Sequence, residues 1–175
     1  MNDADTTPEE DQTGVLDEAL EIEPERELDA DATTAGASDA TYRVMTVESV
    51  TFNLGDASPQ VHLMESEPPY RHLSVPIALP EAQALHAAMN HLTGRRPSTH
   101  ELASALFRQF QADIIAVRIA RYEAGVFYAV LDVMTPRGRE GFDARPSDAL
   151  ILALRQVVNA PILCNEEVLG EFFLS

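Results

Sequence analysis

The chain is expected to fold as an α+β domain, a largely antiparallel sheet with helices packed on it. Three observations lead there. Apolar residues recur with period two from Tyr42 to Ile77 and again from Ile115 to Asp143. Three stretches of helical spacing follow Pro80, Thr99 and Pro146. Turns of a few residues, bearing Gly or Pro, separate the strands, as hairpin-linked neighbours require. Each half reads as three short strands followed by a helix. The pattern therefore also allows two similar strand-strand-strand-helix halves.

The elements follow in order. Val44, Val50, Phe52 and Leu54 share one face of a first strand, interrupted by Thr46 and Glu48, and Gly55 to Pro59 makes a turn. Gln60 to Glu65 is a second strand and Arg71 to Ile77 a third, parted by Pro68-Pro69. Pro80 opens a helix on which Ala82, Leu85, Ala88, Met89 and Leu92 recur, with Gly94 as its left-handed cap. Thr99 is the expected N-cap of a second helix reaching about Gln111. On it Leu102, Ala105, Leu106, Gln109 and Phe110 face alike. Ile115, Val117 and Ile119 alternate with Ala116, Arg118 and Ala120 in a half-buried strand, and Ala124-Gly125 turns the chain. Val126 to Met134 is apolar on both faces except at Asp132, as in a central strand. Arg139 to Asp143 pairs back, Pro146 to Val158 forms the third helix, and Pro161 to Cys164 is a short strand. Glu166 to Phe173 is a last helical turn or two.

Charge divides the chain. Residues 1–41 hold 14 of the 29 acids and one of the 12 arginines. With few large apolar residues they cannot offset the entropy of ordering, and they read as a disordered acidic tail. Residues 42–175 form the folded domain and carry a net charge of only −4. No Lys occurs, so every cation is an Arg, suited to bidentate phosphate contacts but not to Schiff-base chemistry. Arg95, Arg96, Arg137, Arg139 and Arg145 are the candidates for phosphate. The single Cys164 excludes an internal disulfide and a Cys-cluster zinc site, and its apolar neighbours suit a buried thiol. The apolar runs are far shorter than the roughly 18 residues needed to span a bilayer. A cytoplasmic protein without membrane partners is the resulting expectation, and exposed sheet edges make a homo-oligomer plausible.

Polar groups gather at two helix starts. Asp143, Arg145, Ser147 and Asp148 surround Pro146, and His100-Glu101 follows Arg96-Pro97-Ser98. Both places repeat an Arg-Pro-Ser triplet, and pseudo-repeat packing would set them across one groove. Phosphodiester chemistry needs these residue types. Asp143, Asp148 and Glu101 can ligate a divalent metal such as Mg²⁺ or Mn²⁺, which activates water and steadies the leaving oxygen. Arg145 can neutralise charge on phosphate, and His100 can move a proton near neutral pH. The same residues have a structural reading, as an Asp143–Arg145 ion pair and as first-turn groups that cap helix N–H donors. His62, His72, His86 and His91 are weaker candidates. The last two lie on one expected helix at a spacing of five, poor for a shared metal.

The run Asp143-Ala144-Arg145-Pro146-Ser147-Asp148-Ala149 resembles the signature of the bifunctional nuclease family. Arg96-Pro97-Ser98-Thr99-His100-Glu101-Leu102 is similar to that family's Arg-Pro-x-Thr-His-Asp-Leu segment. Ala160-Pro161-Ile162, with Glu166-Glu167-Val168-Leu169 behind it, is a third match, and the resemblance covers roughly Tyr42 to Leu169. Two departures stand out. Glu101 replaces the family's shorter Asp, and Leu73-Ser74-Val75-Pro76-Ile77-Ala78-Leu79 lacks the Gly usual before the first helix. The resemblance implies an α+β domain that hydrolyses DNA and RNA with little sequence preference and uses a divalent metal. Asp143, Arg145, Asp148, His100 and Glu101 are then the catalytic candidates, and Arg95, Arg96 and Arg145 the nucleic-acid contacts. The competing expectation is a non-enzymatic module that binds a ligand or protein, with the motif serving the fold.

Overall fold

The computed structural model describes residues 40–52 and 58–173, so the acidic tail (residues 40 and 41 apart), Leu54 and most of the first turn lie outside the described residues. The strands are β1 (Tyr42–Thr51), β2 (Gln60–Glu65), β3 (His72–Pro76), β4 (Asp113–Glu123), β5 (Val126–Thr135), β6 (Gly138–Ala144) and β7 (Ile162–Asn165). The helices are α1 (Leu79–Met89), α2 (Thr99–Gln109), α3 (Pro146–Leu154) and α4 (Glu166–Phe173). The seven strands form one sheet in the order β3-β2-β1-β7-β4-β5-β6. Every neighbouring pair is antiparallel except β4 with β7.

The short strand β7 holds the centre. A three-strand meander lies on each side of it, and each meander is followed by a helix that packs back on the sheet. The α+β class and the two similar halves both describe this architecture. The Arg-Pro-Ser triplets, however, occupy unlike places. Arg145-Pro146-Ser147 opens α3, the helix of the second half, whereas Arg96-Pro97-Ser98 precedes α2, an extra helix inserted between the halves.

The helices share one face of the sheet. Met45, Val61, Leu63, Leu73 and Val75 meet Ala82 and Leu85 of α1, Leu150 and Ile151 of α3, and Val168 and Leu169 of α4. A second cluster joins Val117, Ala129, Leu131 and Val133 to Ala149, Leu152 and Ala153 of α3, with Ala103 and Phe107 of α2 against it. Burial of this kind is the main favourable contribution to folding, at about 25 cal/mol per Å² of apolar surface.

Bulges decide which residues point inward. The β1–β2 register slips between Val47 and Ser49, so Val50 packs on the core while Val44 is exposed on the other face. One extra residue in an alternating strand has this effect, which a strict period of two misses. Phe52 lies beyond the end of β1 and is exposed. A second bulge between Ile114 and Ala116 brings Ile114, in place of Ile115, into the core.

Helix ends also differ from expectation. α1 stops at Met89 and needs no glycine. His91 takes the left-handed conformation (φ 51°), its N–H bonding to Ala88 O and the Leu92 N–H to Ala87 O. That is a Schellman closure with a non-glycine residue. His91 therefore lies outside the helix that carries His86. α2 closes in the same way, with Gln111 at φ 56°. α3 ends at Leu154, before the expected Val158.

The N-cap of α2 is Ser98, one residue before the expected Thr99. Its hydroxyl accepts from the Glu101 N–H (3.3 Å), and Glu101 Oε2 accepts from the Ser98 N–H (2.8 Å). This capping box satisfies two otherwise unpaired donors. Ser98→Ala is expected to cost about 1 kcal/mol, measured by denaturant unfolding.

The face of α2 bearing Leu102, Leu106 and Phe110 points to solvent, with these residues 54%, 48% and 69% exposed. The inward side is His100, Ala103, Ser104 and Phe107, at helical spacing of three and four. The reason is tertiary. α2 is pinned to α3 by side chains at its first turn, which fixes its rotation about its own axis. Leu106→Gln is accordingly expected to change stability by no more than about 0.5 kcal/mol, which the same unfolding measurement checks.

Candidate functional site

The site is built where α3 begins. β6 delivers Arg145 in an extended conformation (φ −67°, ψ 142°), and Pro146 starts the helix at once. Pro fits there because its missing N–H would have no helical partner. Asp148 then falls in the first turn, at the positive end of the helix dipole.

Asp148 is the hub. Its Oδ2 accepts from Arg145 Nε at 2.7 Å, and its Oδ1 accepts from Arg145 Nη2 at 3.0 Å. Its Oδ1 also lies 3.0 Å from His100 Nε2. An ionised carboxylate only accepts, so His100 Nε2 is the donor of this bond. Burial by itself raises the Asp148 carboxyl. The hydrogen bonds from Arg145 and His100 outweigh it and hold the group below the usual carboxylate range. Arg145 in turn keeps its proton more firmly, chiefly through its bonds to Asp148.

A further residue belongs to this cluster. Arg145 Nη1 donates to Glu81 Oε1 at 2.7 Å, from the first turn of α1. Glu81 Oε2 is buried and has no hydrogen-bond partner among the described residues. The sequence reading missed Glu81. The available signal was local, since Pro80-Glu81 and Pro146-Ser147-Asp148 both place an acid in a first turn after Pro. The first turns of three helices thus meet through Glu81, Arg145, Asp148 and His100.

The other candidates lie elsewhere. Glu101 is engaged in the capping box and with Arg155 Nη1 (2.9 Å), and its carboxyl is lowered first by the Ser98 N–H. Asp143 sits in β6 opposite Val130, exposed, on the face of the sheet opposite the four described helices, which also carries Asp132 and Arg139. The expected Asp143–Arg145 ion pair does not form; Arg145 turns to Asp148 and Glu81 instead. Among the described residues no three His, Cys, Asp or Glu side chains stand where they could hold a metal ion. Asp148 and Glu101 each have a guanidinium on their oxygens, so these carboxylates do not form a ready metal site.

Arg95 and Arg96 are exposed in the segment between α1 and α2. Arg139 donates to the buried Asp132 (2.9 Å), which Arg118 also holds, and Arg137 faces Glu140 at 3.4 Å. Cys164 is buried, and burial pushes its thiol up to about 12, so it is no nucleophile. His62 bonds to Thr51 and Ser74 within the sheet, and the exposed His72 faces Glu48. No helix of the described residues is long and apolar enough to cross a membrane.

Comparison with known proteins adds an independent observation. The chain is similar to two uncharacterised proteins of Mycobacterium tuberculosis, from strains CDC 1551 / Oshkosh and ATCC 25618 / H37Rv. Each is 35% identical over 101 residues, 58% of this chain and 58% of the relative. The match therefore spans under two thirds of those relatives. The family model for the bifunctional nuclease domain matches residues 61–174, which contain every member of the cluster above. With that match over most of its length, the chain belongs to the bifunctional nuclease domain family.

Proposed function

We propose that this protein hydrolyses phosphodiester bonds of DNA and RNA with little sequence preference, at the cluster of His100, Asp148 and Arg145. The observation that carries the reading is Asp148, which joins an imidazole at 3.0 Å to a guanidinium at 2.7 Å. An oriented base beside a phosphate-binding cation is what in-line attack on a phosphodiester needs.

In this reading His100 Nδ1 takes the proton from the attacking oxygen, a water for DNA and RNA alike. Asp148 stabilises the imidazolium that forms. The outward N–H groups of Arg145, 65% exposed, meet the charge gathering on the phosphoryl oxygens. The leaving oxygen departs on the opposite side and takes its proton from water, while the imidazolium returns its own proton to solvent. Arg95 and Arg96 extend the cationic surface for the nucleic-acid backbone. An ion such as Mg²⁺ or Mn²⁺ on Asp148 would have to displace Arg145.

The test is hydrolysis of labelled single-stranded DNA and RNA by the full chain, with Mg²⁺, Mn²⁺ or chelator, beside His100→Ala. Cleavage abolished in a folded His100→Ala supports the reading. Cleavage that survives unchanged removes His100 from the chemistry.

A second reading has its own support. Glu81–Arg145 ties α3 to α1, and His100–Asp148 ties α3 to α2. A binding module whose motif serves to clamp three helices would show the same bonds. It would lose stability in these variants and have no hydrolysis to lose.

A further inference from the structure

A cavity of about 300 Å³ adjoins the cluster, between the starts of α1 and α3 and the β4–β5 turn. Val75, Ile77, Val126 and Phe127 give it apolar walls, and Arg145 and Ser147 face them. Ser147 is only 5% exposed, yet its hydroxyl makes no hydrogen bond among the described residues. A hydroxyl on a cavity wall with no protein partner is a donor available to a ligand there. The backbone repeats the message. α3 has no side-chain cap, and the N–H groups of Ser147 and Asp148 have no helical acceptor. Uncapped N–H donors, a hydroxyl and a guanidinium together suit the oxygens of a phosphate.

The remaining lining selects among phosphate compounds. The volume lies at the small end of the ligand-pocket range of roughly 300–1,000 Å³, enough for one ring system with its sugar. Glu81 is also in the wall, with Arg145 against one of its oxygens at 2.7 Å. Its charge disfavours a bare anion there. A ligand that also covers the apolar walls regains what that repulsion costs.

We propose that this cavity is a nucleotide subsite. The phosphate sits on Ser147, the α3 N-terminus and Arg145, and the nucleoside lies against Val75, Ile77, Val126 and Phe127. The inference rests on the nuclease reading for its biological sense, since Arg145 belongs to both places and would set one nucleotide beside the bond to be cut. Recognition through phosphate and apolar stacking, without base-edge contacts, is also consistent with low sequence preference.

Calorimetric titration of the full chain with AMP, adenosine and inorganic phosphate tests it. AMP is expected to bind saturably and more tightly than either fragment. Ser147→Ala should weaken AMP about tenfold, the loss of one hydrogen bond to a charged group. Val126→Trp, at a half-exposed position on the cavity rim, should abolish binding by filling the space. Thermal melts confirm that both variants fold. The proposal fails if AMP does not bind at millimolar concentration, if phosphate or adenosine binds as well as AMP, or if neither variant alters AMP binding. Binding by a protein that cleaves nothing leaves the subsite standing and removes the nuclease reading; cleavage without AMP binding does the reverse.

Discussion

Asp148→Asn is expected to lower DNA and RNA hydrolysis by roughly 10²- to 10⁴-fold, the range that positioned acid–base groups contribute. The substitution keeps the size of the side chain and removes its charge. The amide can no longer accept at both oxygens, so the bidentate bond from Arg145 is broken. It also no longer fixes which nitrogen of His100 holds the proton. Stability should change little, because Asp148 is 29% exposed and Arg145 65%. Exposed pairs of this kind contribute about 0–1 kcal/mol. Rate loss with a near-native melting temperature is therefore the signature of a site. A large fall in melting temperature, with no activity in the parent protein, would mark the motif as a clamp between helices. Glu101→Gln serves as the contrast. Glu101 is committed to the α2 cap and Arg155, so its loss is expected to appear in stability rather than in rate.

Glu65→Gln is expected to produce the largest loss of stability, of order 3–5 kcal/mol, toward the lower end because Glu166 still faces Arg71. Glu65 is 1% exposed and accepts from Arg71 Nη2 (2.8 Å), Arg71 Nε (3.0 Å), the Arg71 N–H (2.8 Å) and Arg43 Nε (2.9 Å). Removing its charge leaves the buried Arg71 short of a counter-ion, and an uncompensated buried charge costs more than the pair contributes. The same network predicts acid sensitivity. The Arg71 guanidinium, with smaller help from Arg43, lowers the Glu65 carboxyl from 4.5 to about 2 against the opposing effect of burial. A carboxyl lowered on folding stabilises the fold above its unfolded value and loses that contribution as pH falls through the folded one. The contribution, at most about 3 kcal/mol, should be complete above pH 4.5 and disappear between about 4.5 and 2. Urea unfolding across pH 2–7 measures it. Glu65→Gln should show a shallower decline over that window; an unchanged decline would place the acid sensitivity in other carboxylates.

Local chemistry along the chain determined the α+β class, the paired meanders and the helix starts. Alternating apolar residues make strands, and Pro80 and Pro146 fit first helical turns because they lack the N–H that has no partner there. The cluster at α3 was legible for the same reason, since Arg145, Ser147 and Asp148 lie within one helical turn. Tertiary structure decided what a one-dimensional pattern cannot contain. Two bulges put Val44 and Val50 on opposite faces and exchanged Ile115 for Ile114, because an inserted residue reverses the facing of the side chains before it relative to those after it. The apolar stripe of α2 went to solvent because His100 and Glu101 bind Asp148 and Arg155, and those bonds rather than hydrophobicity fix its rotation. Asp143, five residues from Asp148, went to the face opposite the four described helices, while Glu81, 64 residues from Arg145, came within 2.7 Å of it. Sequence names the chemical groups at a site. Which of them share it depends on strand facing and helix rotation, and both are set by contacts between residues far apart in the chain.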